Sequence, residues 1–319
     1  MQTVTRRHFC RQALGISMGL AHGATLPLRA DARPVQVRAL RLGGPIFTRS
    51  EDPDELALAH RQLGYRAAYC PNLSLDDSSR ITAVARAFQK HDVVIAEVGR
   101  WVNLLDADSE KRRANLQKVT EGLALAEAVG ALGCVDIAGS YNSNSWFGPH
   151  PDNFSPHFFD AAVENARRII DAVKPGRAKF SYEMMGWAIP ETPERYLKLL
   201  KAIDRKAFAV HLDPCNIVNS PEKFYRNTDL LNECFDKLGR WIVSCHAKDL
   251  VWDVEMNLHF REVRPGAGSM DYKTYLRRLA SLGHEAPLML EHLPNAEEYD
   301  KARKHVLELG TGIGIRFDQ

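Results

Sequence analysis

From about residue 35 to residue 310, short apolar runs alternate with longer stretches whose apolar residues recur every three or four positions. The first kind reads as strand and the second as amphipathic helix. Strand-like runs cover 35–42, 65–70, 93–98, 134–138, 179–183, 208–213, 241–246 and 287–291. Val93-Val-Ile-Ala96 and Leu288-Met-Leu290 are apolar on both faces, as a parallel sheet covered by helices requires. Between the runs, helical spacing covers 52–63, 79–91, 109–129, 156–173, 193–203, 224–238, 272–282 and 296–309. The helix starts carry their own signals: Pro53 sits in a first turn with Asp54 and Glu55, where acids favour the positive end of the helix dipole. Eight strand–helix units of roughly 30 residues predict an α/β protein of one domain, a closed (β/α)8 barrel rather than an open doubly wound sheet. Gly43-Gly44 alone is too weak to mark a dinucleotide site.

The first 32 residues fall outside that pattern. Thr5-Arg6-Arg7-His8-Phe9-Cys10-Arg11, a modest apolar stretch and the small-residue site Ala30-Asp31-Ala32 read as a twin-arginine export signal. The expectation is a signal over 1–32, a barrel over 33–319, and a mature protein in the periplasm or otherwise exported. Loss of the signal removes four arginines against one aspartate and takes the formal net charge from +2 to −1. The basic balance thus belongs to the signal and gives no support to nucleic-acid binding. No run of 18 apolar residues predicts a membrane span. Five cysteines follow the signal without a C-x-x-C pair, and most lie in apolar runs, so they are expected to be free.

Chemistry gathers at the ends of the last four strand runs. Lys179-Phe-Ser-Tyr-Glu183, Phe208-Ala-Val-His-Leu-Asp213, Trp241-Ile-Val-Ser-Cys-His246 and Pro287-Leu-Met-Leu-Glu291 each end in a carboxylate or an imidazole. Alone, each has an ordinary explanation: a rim charge, a turn-starting Asp-Pro, a core histidine. Together, at the ends of parallel neighbours, Glu183, Asp213, His246 and Glu291 converge at one rim. Three carboxylates and one imidazole make a hard ligand set for a divalent cation, Mn²⁺ first, with Mg²⁺, Co²⁺ and Zn²⁺ as alternatives. His211 shares the facing of Asp213 and Lys248 that of His246, since residues two apart on a strand point the same way. Both are read as substrate contacts, the alternatives being a fifth metal ligand or structural support for His211 and a rim salt bridge to Asp249 for Lys248. Trp187, with Trp101 and Trp146, falls on rim loops, where an aromatic face can meet a sugar or simply pack.

These motifs resemble the xylose isomerase-like TIM-barrel superfamily, which includes sugar phosphate isomerase/epimerase-type proteins, ketose 3-epimerases and inosose dehydratases. The resemblance spans roughly 35–310 and rests on His211-Leu-Asp-Pro-Cys-Asn216, Cys245-His-Ala-Lys-Asp249, Arg264-Pro-Gly-Ala-Gly-Ser-Met-Asp271 and Met289-Leu-Glu-His292. It implies the same metal set and a metal-dependent sugar isomerase or epimerase working by proton transfer next to a carbonyl, with Glu183 and Glu291 as the acid/base pair. Elimination from a keto-sugar or 3-keto-glycoside is the alternative outcome of that chemistry. An abasic-site endonuclease shares the barrel, but it needs additional histidines that the ends of the second to fourth strand runs do not supply. The expected partner is a small carbohydrate. A phosphosugar is disfavoured because no Lys/Arg cluster lies on the strand-end loops. Barrels of this kind often pair, which allows a homo-oligomer.

Overall fold

The computed structural model describes residues 38–318; the segment read as an export signal and the start of the first strand run lie outside the described residues. Ten strands follow: β1 (Leu42–Gly43), β2 (Ala67–Tyr69), β3 (Val94–Gly99), β4 (Gly133–Asp136), β5 (Lys179–Glu183), β6 (Phe208–Leu212), β7 (Ile242–Ala247), β8 (Asp249–Trp252), β9 (Phe260–Val263) and β10 (Leu288–Leu290). Eight of them close a barrel in the order β1-β10-β7-β6-β5-β4-β3-β2, with β1 pairing back onto β2. Every barrel pairing is parallel. The (β/α)8 architecture read from the alternation is therefore the one observed.

The helices between them begin and end as their sequences direct. α1 (Pro53–Gln62) is capped by Asp52, α2 (Ser78–Lys90) by Asp77, α3 (Ser109–Val129) by Asp108, α4 (Pro156–Val173) by Ser155 and α5 (Pro193–Ile203) by Thr192, each side chain accepting from a first-turn N–H. α3 stops at Gly130, whose φ of 85° suits a residue without Cβ. α4 shows the packing logic: Phe158, Ala162, Ala166, Ile169 and Ile170 form one buried stripe against the sheet. The main core lies in this layer between helices and strands, while a small separate cluster of Ala67, Ala96 and Met289 fills the barrel's interior.

Two differences from the expected elements follow from local chemistry. The span read as one helix over 224–238 is two helices, α6 (Pro221–Tyr225) and α7 (Asn227–Leu238), with Ser220 capping the first. The span between β7 and α8 (Tyr272–Ala280), to which the hydrophobic pattern assigns no element, contains the antiparallel hairpin β8–β9. Its base is held by Asp249, whose carboxylate accepts from the backbone N–H groups of Leu250, Gly266, Gly268 and Met270 at 2.9–3.0 Å. A Cβ at Gly268 would stand 2.2 Å from Asp249 Oδ1, so the Pro-Gly-Ala-Gly segment is the part of the backbone that can approach this carboxylate. α9 (Ala296–Gly312) closes the chain. Among the described residues the five cysteines are free, and no helix is long and apolar enough to cross a membrane.

Candidate metal centre

Glu183 ends β5, Asp213 follows β6, His246 is the second-to-last residue of β7 and Glu291 follows β10. All four are buried, and each offers one ligand atom within 4.8 Å of the others'. His246 Nδ1 lies 2.9 Å from Glu291 Oε1 and 3.4 Å from both Glu183 Oε1 and Asp213 Oδ2. The structure thus gathers at the C-terminal mouth the four residues that the strand ends singled out.

The orientation of His246 comes from a residue that sequence reasoning passed over as a strand-tip side chain. Glu97, on β3 and fully buried, stands 3.1 Å from His246 Nε2 through Oε1. Its Oε2 takes a hydrogen bond from Ser244 Oγ at 3.3 Å and lies 3.3 Å from His211 Nδ1. With the Nε2 proton given to Glu97, Nδ1 is the atom that faces Glu183, Asp213 and Glu291 and that would shed its proton to hold a cation, the arrangement in which a second carboxylate sets a ligand's tautomer. His211 is fully buried beneath this layer, its ring centroid 4.1 Å from that of His246 and its Nδ1 2.6 Å from Ser244 Oγ. It does not line the cavity.

Lys248 follows β7 and is buried, with Nζ 2.6 Å from Glu291 Oε1, 2.7 Å from Asp213 Oδ2 and 3.7 Å from Glu183 Oε1. The rim pairing with Asp249 does not occur, because Asp249 is saturated by backbone donors. Electrostatics bind the group together. Burial opposes charge on Asp213 and Glu291, yet Lys248 and His246 hold both carboxyls below the ordinary range. Burial likewise opposes the cations, and the surrounding carboxylates raise His246 and Lys248 well above their usual values. Asp213 Oδ2, His246 Nδ1 and Glu291 Oε1 are nevertheless buried without a hydrogen bond; the Lys248 contacts are close but poorly angled. Three orphaned donor atoms around one point, on a hard ligand set, fit a divalent cation.

Glu183 is held independently. Trp101 Nε1 donates to its Oε2 at 2.5 Å and Asn216 Nδ2 to its Oε1 at 2.9 Å. Above the cluster opens a cavity of about 580 Å³, bounded by Glu183, Asn216, Lys248 and Glu291 at its floor. Glu262 of β9 and His292 also line it, and they face each other with His292 Nδ1 3.2 Å from Glu262 Oε1. Of the rim tryptophans, Trp101 and Trp146 line the cavity and Trp187 does not; Trp187 is exposed, its carbonyl accepting from Asn153 Nδ2 at 3.0 Å.

A closed parallel barrel with such a cluster at its C-terminal mouth defines a class of barrel with a candidate metal centre. Residues 58–309 match the family of xylose isomerase-like TIM barrels, and the chain belongs to that family. No curated protein sequence matches it. Three solved structures are similar in fold. A xylose isomerase-like TIM barrel protein from Mycobacterium smegmatis, in complex with magnesium, has a TM-score of 0.61 at 16% identity over 86% of this chain and 97% of that one. The 3-keto-D-glucoside 4-epimerase of E. coli has a TM-score of 0.61 at 14% identity, covering 86% of this chain and all of that one (100%). Endonuclease IV from Thermus thermophilus has a TM-score of 0.62 at 16% identity over 85% and 99%.

Proposed function

We propose that this protein is a divalent-metal-dependent sugar isomerase or epimerase that moves a proton on a carbon next to a carbonyl, through an enediolate. The observation that carries the reading is the convergence of Glu183, Asp213, His246 and Glu291 on one point at the floor of the cavity. When bound, the cation supplies Lewis-acid stabilisation of the negative charge that develops on the substrate's oxygens. Glu183 and Glu291 reach the floor from strands three places apart around the barrel, so a substrate between them meets one carboxylate from each side. One removes the proton and the other returns one, the division of labour that epimerisation needs. Lys248 lies within reach of both glutamates and is placed to donate to a substrate oxygen.

The lining restricts the substrate. Among the described residues, Lys248 is the one Lys or Arg that lines the cavity, and it is engaged with carboxylates. A phosphate group would find no free cation, which favours an unphosphorylated sugar and speaks against a nucleic-acid backbone. The E. coli relative in fold acts on a 3-keto-D-glucoside, and a cavity of about 580 Å³ exceeds what one sugar ring fills. This supports a keto-glycoside, from which the same glutamate pair could also eliminate the group β to the carbonyl. The twin-arginine pattern around Arg6-Arg7 supports action outside the cytoplasm.

The test is exchange in D₂O with Mn²⁺-loaded protein and a panel of ketoses and 3-keto-glycosides. Deuterium entering recovered sugar, lost in Glu183→Gln and in Glu291→Gln, is the expected result. An unsaturated product would establish elimination; an unchanged panel under all four metals would end the reading.

A further inference from the structure

The cavity is chemically two-sided. Of its polar lining, Glu262, Lys248, Glu291 and His292 come from segments that follow β7 and β10, with Glu183 of β5 and Asn216 beyond β6 at the floor. The opposite wall follows β3, β4 and β5 and consists of Trp101, Ile137, Trp146, Phe147 and Met185. In the barrel order, β4 lies directly across from β10 and β3 from β7. Trp146 and Phe147 meet edge to face with centroids 5.0 Å apart, and each remains more than 40% exposed, at 42% and 44%. Among the described residues the exposed tryptophans (Trp146, Trp187 and Trp252) and phenylalanines (Phe47, Phe147 and Phe154) all lie on segments that follow a barrel strand, on the side of the mouth. Two of these, Trp146 and Phe147, line the cavity, and exposed apolar surface in a concave place marks a binding surface.

We propose that this wall is a subsite for an apolar, ring-bearing aglycone attached to the sugar whose carbonyl carbon sits over the glutamate pair. The proposal rests on the sugar chemistry argued above and names its substrate class. A second sugar in the same place would turn several hydroxyls toward a wall whose polar side-chain groups are two indole N–H donors, that of Trp101 already given to Glu183. Buried hydroxyls without partners weaken binding, whereas a flat apolar ring gains from stacking on the Trp146–Phe147 corner.

The probes are 4-nitrophenyl β-glucoside, methyl β-glucoside and cellobiose, titrated calorimetrically into the full protein with Mn²⁺. The aryl glucoside should bind at least tenfold tighter than either of the others. The Trp146→Ala/Phe147→Ala double variant, its fold checked by circular dichroism, should bind all three alike. Equal affinities, tighter cellobiose binding, or an aryl preference that survives the double variant would overturn the subsite. So would a change of oligomeric mass in the double variant with ligand preference unchanged, which would make the face a contact between copies. An aryl preference without exchange in D₂O on any substrate leaves the subsite standing and removes the isomerase reading; exchange on free ketoses without an aryl preference does the reverse.

Discussion

Trp101 Nε1 donates a hydrogen bond to Glu183 Oε2 at 2.5 Å. Trp101 adopts a φ of 33°, and its indole folds back over Gly99, where a Cβ would stand 1.8 Å from a ring carbon. A tryptophan in a sparsely populated backbone region needs surroundings that hold it there, and such strain clusters at sites that use it. We expect Trp101→Phe to free one Glu183 oxygen and to lower kcat about ten- to a hundredfold while KM moves little, since a hydrogen bond to a charged group is worth about 1.5–3 kcal/mol. Gly99→Ala should reproduce the defect by displacing the ring. Steady-state kinetics separate the two constants; an equal loss through KM alone would make Trp101 a substrate contact instead.

Glu97 has no access to the cavity, yet it sets the direction of His246. Glu97→Gln keeps the shape and removes the charge. Metal affinity should fall about ten- to a hundredfold, as for other carboxylates behind a ligating imidazole. Titration with Mn²⁺ followed by paramagnetic resonance measures it directly, without reference to turnover.

Lys248 and a divalent cation compete for Asp213 Oδ2 and Glu291 Oε1. Replacing Lys248 by Met leaves the acidic cluster under-neutralised, so the metal-free variant should lose about 3–5 kcal/mol of stability. Its affinity for Mn²⁺ should rise, and with it the increase in Tm on adding metal. Thermal melts with and without Mn²⁺ check both. A variant whose melting point and metal response match the wild type would show that the ammonium is not part of this balance.

Asp136, ending β4, is fully buried; Oδ1 accepts from Val102 N at 2.7 Å and Oδ2 has no partner. Burial pushes its carboxyl well above the ordinary aspartate value. An acid raised in the folded state binds its proton more tightly there, so stability falls as pH rises above the unfolded value of about 3.9. Asp136→Asn removes that penalty. The variant should equal the wild type near pH 3 and exceed it in Tm at neutral pH. Melting curves across that range test it, and a constant difference would sink the argument.

Much of this was legible in the chain because two strong signals coincide. Strand runs that are apolar on both faces, separated by capped helices, leave few topologies, and each of the eight barrel strands overlaps one of the eight runs, β1 (Leu42–Gly43) only at Leu42. The ligand candidates were legible because Glu183, Asp213, His246 and Glu291 each end such a run, and parallel strands put their ends on one side. Glu97 gave no comparable signal as a ligand partner. It interrupts an apolar run as many acids do, and its contact with His246 lies 149 residues away in sequence. The β8–β9 hairpin was hidden because its strands are only four residues long and the connection between them, 253–259, mixes apolar and polar residues without a turn signal.

The sequence alone determined the barrel, its sense and the four strand ends that carry metal-capable groups, since periodicity and capping are local properties. Tertiary structure decided what the side chains do there. Lys248 turns to Asp213 and Glu291 because Asp249 is taken by backbone donors, and Trp101 and Trp146 reach the cavity while Trp187 does not. Those outcomes depend on which distant groups compete for the same partner, and only closure of the barrel brings the competitors together.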